Sequence, residues 1–382
     1  MPLRAARGLV TAEGVTSPEQ IPPFDNTAVD GFALAGSVLP TTGFRDFPVH
    51  HVVAAGRCDP GVCPAGDCVR IMTGAGMPQG ADTVVMLEHC ERLSNGHVRI
   101  GDGHRRGQNV RQAGEDIAEG CVVFPAGQRL HPAELGMLSS LGLTEVTCLR
   151  RPRVAVLSTG NELREPETGA RLAPGTLFDS NRYNLLGMLQ RLDLEILDLG
   201  ILKDDPDALR ATLREASQRA DAIITSGGVS MGDADFVKPV LRAMGTLDFW
   251  KIAMKPGRPL SFGRIDDALF FGLPGNPVAV AVTFYQFVQP ALEKLAGTTP
   301  QAPLLLPAKT SAPIRKRPGR TEFLRAFYKT GPQGLEVRVL DSQGSGILTS
   351  MSRANCFIVL DEACDGVQEG GMVSIQPFQG LM

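Results

Sequence analysis

No histidine follows His131: all six (His50, His51, His89, His97, His104 and His131) lie before residue 132. No cysteine lies between Cys148 and Cys356. A site built from the stretch between them has neither imidazole nor thiolate. That excludes a Ser-His-Asp triad and a protein-ligated soft metal there. It leaves carboxylates, hydroxyls, backbone amides and lysine. Lysine is scarce as well, with eight among 38 basic residues and none before Lys203. Two of those eight, Lys251 and Lys255, fall within five residues. In an arginine-rich chain, that local choice points to a need for compact point charges.

Other absences narrow the class. No C-x-x-C occurs, and Cys58, Cys63 and Cys68 are five apart, which fits neither a zinc site nor a disulfide framework. Reduced thiols and a cytoplasmic location are the expectation. No apolar run is long enough to span a bilayer, and MPLRAARGLVTAEG lacks the apolar core of a secretory signal. The net charge of −3 gives no general attraction to nucleic acid or to an anionic membrane. The length of 382 residues allows two to four domains.

What is present is α/β from about Arg151 onward. RVAVLS (153–158), LEILDL (194–199), DAIIT (221–225) and LFFGL (269–273) read as strands. Ser180–Arg191, with Ser180 as N-cap, Asp204–Arg219, with Pro206 in its first turn, Asp233–Met244 and Val278–Leu295 read as helices. This alternation predicts a mostly parallel sheet with right-handed crossovers. Before it, a Gly- and Pro-rich region with short strands such as Thr83–Leu87 and His97–Ile100 predicts an irregular β domain. A short helix at Pro132–Leu141 and a short strand at VTCL follow it. After Thr298, strands at Leu304–Leu306, Phe323–Tyr328, Leu335–Val339 and Phe357–Leu360 predict a small β-barrel or sandwich.

Six segments could carry chemistry. TSGGVSMGDAD (225–235) follows a buried strand, where ligands bind in open α/β sheets. Gly227 and Gly228 permit close backbone approach, Ser230 adds a hydroxyl, and Asp233 and Asp235 add hard oxygen ligands. FWKIAMKPGRP (249–259), if extended, turns Lys251 and Lys255 to one side with Arg258 close behind. LPGNP (273–277) offers Pro274, Gly275 and Asn276 at a helix start, as cap, ligand cradle or both. STGNEL (158–163) repeats the strand, turn, acid order with Glu162. IPPFDNTAVDGFAL (21–34) holds a polar cluster of Asp25, Asn26, Thr27 and Asp30, readable also as an Asx-turn network. RIMTGAGMPQGAD (70–82) places Thr73 before a Gly-rich turn. Neither a Rossmann fingerprint nor a P-loop is present. Together they indicate a phosphorylated ligand and a hard cation.

In this order, the six segments resemble the MoeA family, seen also as the E domain of gephyrin: the molybdopterin molybdenumtransferases. The resemblance covers nearly the whole chain. It implies four domains: a discontinuous elongated domain (1–20 and 119–149), an inserted β domain (21–118), an α/β molybdopterin-binding domain (150–300) and a C-terminal β-barrel domain (301–382). It implies an elongated homodimer with an active cleft shared between subunits, and contacts with other proteins of molybdenum cofactor biosynthesis. The substrates implied are molybdate and adenylylated molybdopterin, with Mg2+ required and AMP released.

Carried over by residue, the resemblance implies catalytic roles for Asp30, Thr73, Glu162, Asp204, Asp235, Lys251 and Lys255. Of these, Asp235 and Glu162 would hold the metal. Gly227, Gly228, Ser230, Pro274, Gly275, Asn276, Arg325 and Ser345 would bind substrate. Two departures stand out. Phe32 occupies a position where the family often has Tyr. Family members also carry a helix ahead of the stretch equivalent to PLRAARGLVTAEGV, which bears on dimer packing. The rival readings are a molybdopterin adenylyltransferase and a non-catalytic molybdopterin-binding scaffold.

Overall fold

Apolar stretches are short in the first part of the chain, and all its strands but one run five residues or fewer. The computed structural model describes residues 1–227 and 237–378. The chain divides into two units, Met1–Arg7 with Thr11–Cys148, and Gly8–Val10 with Leu149–Met382. In the first unit, β1 (Gly31–Leu34), β2 (Phe44–Val53), β3 (Cys68–Ile71), β4 (Thr83–Met86), β5 (Cys90–Arg92) and β6 (His97–Gly101) form one sheet. Its order is β4-β1-β3-β2-β6-β5, and β2 with β3 is its parallel pair. Phe32, Phe47, Val85 and Ile100 fill the core on one side of it. Helix α1 (Pro132–Ser140) begins as expected, with the His131 N–H donating to Glu134 Oε2 at 2.9 Å. The strand expected at VTCL is not formed. Cys148 makes only an isolated bridge to Thr11, too little pairing to propagate a ladder.

The second unit grows from strands buried on both faces. Its α/β part contains β7 (Arg153–Thr159), α2 (Asn181–Gln190), β8 (Glu195–Leu202), α3 (Pro206–Arg219), β9 (Ala222–Ser226) and α4 (Val237–Met244). It continues with β10 (Gly245–Lys251), β11 (Met254–Lys255), β12 (Pro259–Ile265), β13 (Ala268–Leu273), α5 (Pro277–Thr283) and α6 (Gln289–Leu295). The sheet order is β8-β7-β9-β13-β12-β10. The β7–β8, β7–β9 and β9–β13 pairs are parallel, as the strand–helix alternation implies. The other two pairs are antiparallel, so the sheet is mixed. Every residue of β9 is buried. Along β7, Val154 and Val156 join the core under α2 and α5, while Ala155 and Leu157 join the core under α3 and α4. This period of two, apolar on both sides, is what a sheet covered by helices on both faces requires.

Several elements differ from expectation in their bounds. The acids ahead of α3 lie outside the helix: Asp205 is its N-cap, accepting from the amides of Asp207 and Ala208, with Pro206 at N1. Asp204 is thereby released for another partner. Ser180 occupies the N-cap of α2 without a side-chain cap bond, because Asp179 takes the Arg182 amide instead (3.1 Å). The helix expected over 278–295 is interrupted by a π-helical turn, Phe284–Val288. The start of the helix expected at Asp233 lies outside the described residues.

FWKIAMKPGRP is not one extended run. Lys251 ends β10, the Ile252 amide donates to the Arg258 carbonyl (2.9 Å), and Lys255 lies in β11, which pairs with a different sheet. That sheet contains β14 (Leu306–Thr310), β15 (Thr321–Gly331), β16 (Gly334–Val339), β17 (Cys356–Leu360) and β18 (Met372–Pro377), with α7 (Leu348–Arg353) before β17. Because β15 also pairs with β17, these five strands close into a barrel. Phe323, Phe357 and Phe378 of the barrel region join the same core as α5, so barrel and α/β sheet are fused by apolar packing. All eight cysteines are free. Among the described residues, no helix is long and apolar enough to cross a membrane.

An ion pair at the base of β9 ties the start of this sheet together. Asp221 accepts from both Arg150 Nη atoms (2.7 and 2.6 Å) and from the Arg153 amide (2.8 Å). The Arg150 guanidinium, with that amide, holds the Asp221 carboxyl below its usual range. Its contribution is therefore complete above the unfolded pKa, about 3.9, and fades as pH falls through the lower folded value. Asp221→Asn should cost up to about 1 kcal/mol at pH 7. In urea titrations the difference from wild type should narrow below about pH 4; a pH-independent difference would contradict this account.

Candidate functional site

In the first unit, two of the six segments are zipped together by their backbones. The Gly74 amide donates to the Thr27 carbonyl (2.9 Å), the Thr27 amide to Ala75 (3.1 Å), and the Met77 amide to Asp25 (2.9 Å). This brings Asp30 and Thr73 into contact. Asp30 Oδ1 accepts from both the amide and the hydroxyl of Thr73, each at 2.7 Å. Those two bonds, and then Arg70, hold the Asp30 carboxyl below the usual carboxylate range. Both residues are exposed, so the pair presents a fixed anionic oxygen and an oriented hydroxyl. The guanidinium of Arg70 also lies over the Phe32 ring, 5.5 Å from its centroid.

In the second unit, the carboxyl ends of the parallel strands gather the next group. STGNEL leaves β7 as a tight turn whose Asn161 amide donates to Asp204 Oδ2, while the Asp204 amide donates back to Asn161 Oδ1, both at 3.2 Å. Glu162 follows, with its exposed carboxylate folded back over Gly160. At the end of β9, Gly227 has φ +92°, and a Cβ there would meet the Thr159 carbonyl oxygen at 2.7 Å. Glycine is needed at this position on both counts. Asn181, in the first turn of α2, donates to Ser226 Oγ and to the Gly275 carbonyl, both at 2.8 Å. It thus joins β9 to the LPGNP turn. Four buried polar atoms around this junction have no hydrogen-bond partner among the described residues: Ser158 Oγ, Thr159 Oγ1, Thr225 Oγ1 and Asn181 Oδ1. Unpaired buried atoms of this kind are costly and call for a partner.

Beside this group opens a cleft of about 360 Å³. Its lining includes Lys255, Arg258, Arg320 and Arg325 and, among the described residues, no carboxylate. Pro274, Asn276 and Ser345 also line it. Asn276 is the N-cap of α5, but its side chain makes no cap bond. The helix is served instead by the Ser345 carbonyl, which accepts the Val278 amide at 3.2 Å. Arg325 is 1% exposed and has no carboxylate partner among the described residues; it donates to Ser350 Oγ (3.1 Å) and to the Gly344 carbonyl (3.1 Å). It therefore fixes the loop that carries Ser345. Burial pulls its pKa down to about 10, which leaves it charged at neutral pH. Lys255 Nζ is 3.3 Å from Glu322, behind the cleft wall.

The structure therefore gathers Lys255, Pro274, Asn276, Arg325 and Ser345 at one cleft, and Glu162, Asp204 and Gly227 at the strand ends, with Gly275 bonded to Asn181 between them. Lys251 does not line the cleft. Gly228, Ser230, Asp233 and Asp235 lie outside the described residues. Arg320 and Asn181 escaped the sequence reading. Arg320 sits in RPGRTEFLR, a basic turn whose register only the barrel defines. Asn181 follows Asp179 and Ser180 in a D-S-N run that reads simply as a helix cap. A larger cavity of about 480 Å³, bordered by Tyr285, Glu293 and Tyr328, contains none of the six segments. Among the described residues no cluster of three or more His, Cys, Asp or Glu side chains forms a metal cage.

Two outcomes test this geometry. Thr73→Val keeps the amide but removes the hydroxyl, so the Asp30 pKa should rise in a carboxyl-carbon NMR titration; an unchanged value would count against the contact. Gly227→Ala should destabilise the second unit by about 1–3 kcal/mol in denaturant unfolding, and wild-type stability would show that the turn is not constrained as described.

Comparison with known proteins now bears on this arrangement. A profile described as the MoeA N-terminal region (domain I and II) matches residues 1–142. One described as a probable molybdopterin binding domain matches residues 155–294, and the MoeA C-terminal region (domain IV) matches residues 307–378. The molybdopterin molybdenumtransferase of Haemophilus influenzae is 41% identical over 382 residues, covering 100% of this chain and 94% of that protein. Gephyrin of Dictyostelium discoideum is 33% identical over 415 residues, covering 96% of this chain and 57% of that longer protein. The solved molybdopterin biosynthesis moeA protein of Pyrococcus horikoshii OT3 superposes with a TM-score of 0.83 at 29% identity, covering 99% of this chain and 93% of that one. With the strand-end turns and the barrel both in place, the chain belongs to the MoeA family of molybdopterin molybdenumtransferases.

Proposed function

We propose that this chain is the transferase that inserts molybdenum from molybdate into adenylylated molybdopterin, with Mg2+-dependent release of AMP. The observation that carries the reading is the cleft lined by four cationic side chains and, among the described residues, no acid, beside strand ends whose hydroxyls have no partner among those residues. Molybdate is an oxyanion, and Arg and Lys hold such groups by charge-assisted hydrogen bonds. The hydroxyls of Ser158, Thr159 and Thr225 can donate to phosphate oxygens, and Gly227 leaves room for them. No sulfur or imidazole is needed from the protein, because the dithiolene of the pterin supplies the sulfurs that receive molybdenum.

The carboxylates fit Mg2+ in kind: this ion takes one or two carboxylates together with substrate phosphate, not a dedicated protein cage. Glu162 would hold it together with Asp235, and Asp204 fixes the turn that carries Glu162. When bound, the ion would neutralise charge on the phosphoanhydride. Lys255, Arg258 and Arg320 orient molybdate and offset its charge, and Arg325 holds the Ser345 loop against the cleft. Asp30 and Thr73 act as a pair, offered to the cleft of a second copy of the chain in a homodimer. The reaction is set in the cytoplasm.

The test is a turnover assay with adenylylated molybdopterin, Mg2+ and molybdate, reading AMP release and molybdenum insertion. Arg258→Ala and Lys255→Ala should each raise the apparent KM for molybdate by about 10- to 100-fold. Asp235→Ala should abolish the response to Mg2+. Wild-type insertion by Asp235→Ala would remove it from the metal role. Net adenylylation of free molybdopterin with ATP, without insertion, would overturn the reading.

A further inference from the structure

The first turn of α2 holds a buried cation with no part in the scheme above. Arg182 is 3% exposed. Arginine is seldom buried so deeply unless it is paired. Three of its nitrogens meet carboxylates from three separate segments. Nε donates to Asp179 Oδ2 (3.3 Å), Nη1 to Asp198 Oδ2 (2.5 Å) and Nη2 to Glu165 Oε2. The Tyr183 hydroxyl donates to the other Glu165 oxygen (2.8 Å). Burial opposes the charge on Arg182, but Glu165 and Asp198 outweigh it and raise its pKa. In return, Arg182 and then Tyr183 hold the Glu165 carboxyl below the usual range.

The three carboxylates are not equivalent. The Asp179 side chain is 1% exposed and also serves the helix start, so it belongs to the core. The Glu165 side chain is 53% exposed and has little packing to lose. It lies three residues beyond Glu162, in the excursion that leaves β7 and returns to α2. Elsewhere that excursion is held by bonds local to the turn, such as Asn161 with Asp204, Arg164 Nη1 to the Asn161 carbonyl (2.7 Å) and the Leu163 amide to the Gly160 carbonyl (3.3 Å), and by the Leu177 amide to the Glu162 carbonyl (2.9 Å) and the Asp179 amide to the Arg164 carbonyl (3.0 Å). A charge-assisted clasp on Glu165 fixes the far side of the turn that presents Glu162.

We propose that Arg182, acting through Glu165, is the positioning residue of the Glu162 turn. The inference rests on the reading of Glu162 as a functional carboxylate. Arg182 need not touch substrate; it restricts where the Glu162 carboxylate can go. Outer partners of this kind typically change metal affinity or activity by 10- to 100-fold when removed.

Removing Arg182 itself would strand the buried Asp179 and endanger folding. The test therefore uses Glu165→Gln, Glu162→Gln and the double variant, in the full chain. Glu165→Gln should keep the wild-type melting temperature and speed amide exchange across 161–165. It should lower kcat by about 10-fold while leaving the KM for adenylylated molybdopterin unchanged. In the Glu162→Gln background, the added Glu165→Gln should cost nothing further, since a positioning residue has no effect once its target is gone. Additive losses, or unchanged exchange in Glu165→Gln, would overturn the inference. Full activity of Glu162→Gln would instead overturn the role given to Glu162, leaving the exchange result to judge the clasp alone.

Discussion

A parallel sheet covered by helices on both faces has no side open to water. Its chemistry is therefore confined to the strand ends. In this chain the constraint is strict, because β9 is buried along its whole length and β7 is apolar toward both cores. Buried polar side chains gather at the strand ends: Ser158 and Thr159 close β7, Thr225 and Ser226 close β9, and the LPGNP turn continues from the last residue of β13. The Asn181 amide then couples two of those exits through Ser226 and Gly275. Glycine at 227 follows from the same crowding, because the Thr159 carbonyl leaves no room for a side chain.

The barrel contributes charge to this frame. It shares a core with α5 through Phe323 and Phe357, and its strand β15 accepts β11 as an edge partner. That pairing carries Lys255 out of the α/β sheet and sets it near Arg320 and Arg325. A cluster of like charges repels itself and is costly without an anion. The fold offsets part of that cost by placing Glu322 behind Lys255 and backbone carbonyls around Arg325. What remains faces the cleft.

The legible parts of the sequence were those where local pattern and tertiary role coincide. The strands of the parallel core are continuous apolar runs, and α3 announces itself by Asp205 and Pro206. The antiparallel edge, β10 and β12, was hidden because it flanks a turn rich in Lys and Pro, and only pairing with β13 makes it a strand. The barrel's last strand, β18, is six residues of modest apolarity, defined by partners fifteen or more residues away in the chain. For the site, glycines and acids after strands pointed to the turns where Glu162, Asp204 and Gly227 lie at the strand ends. The burial of Arg182 could not be read, because an arginine in a helix of mixed apolar and polar residues resembles a solvated one. Its burial depends on carboxylates at 165, 179 and 198, which no local pattern links.

The central claim is that the anionic part of a nucleotide-linked pterin is received at the ends of β7 and β9, beside a cleft of ammonium and guanidinium groups. A crystal structure of the chain with adenylylated molybdopterin tests it most directly. The account predicts the phosphate oxygens within hydrogen-bond reach of the Thr159 and Thr225 hydroxyls, beside Gly227. A ligand bound instead in the larger cavity bordered by Tyr285 and Tyr328, away from those strand ends, would contradict it.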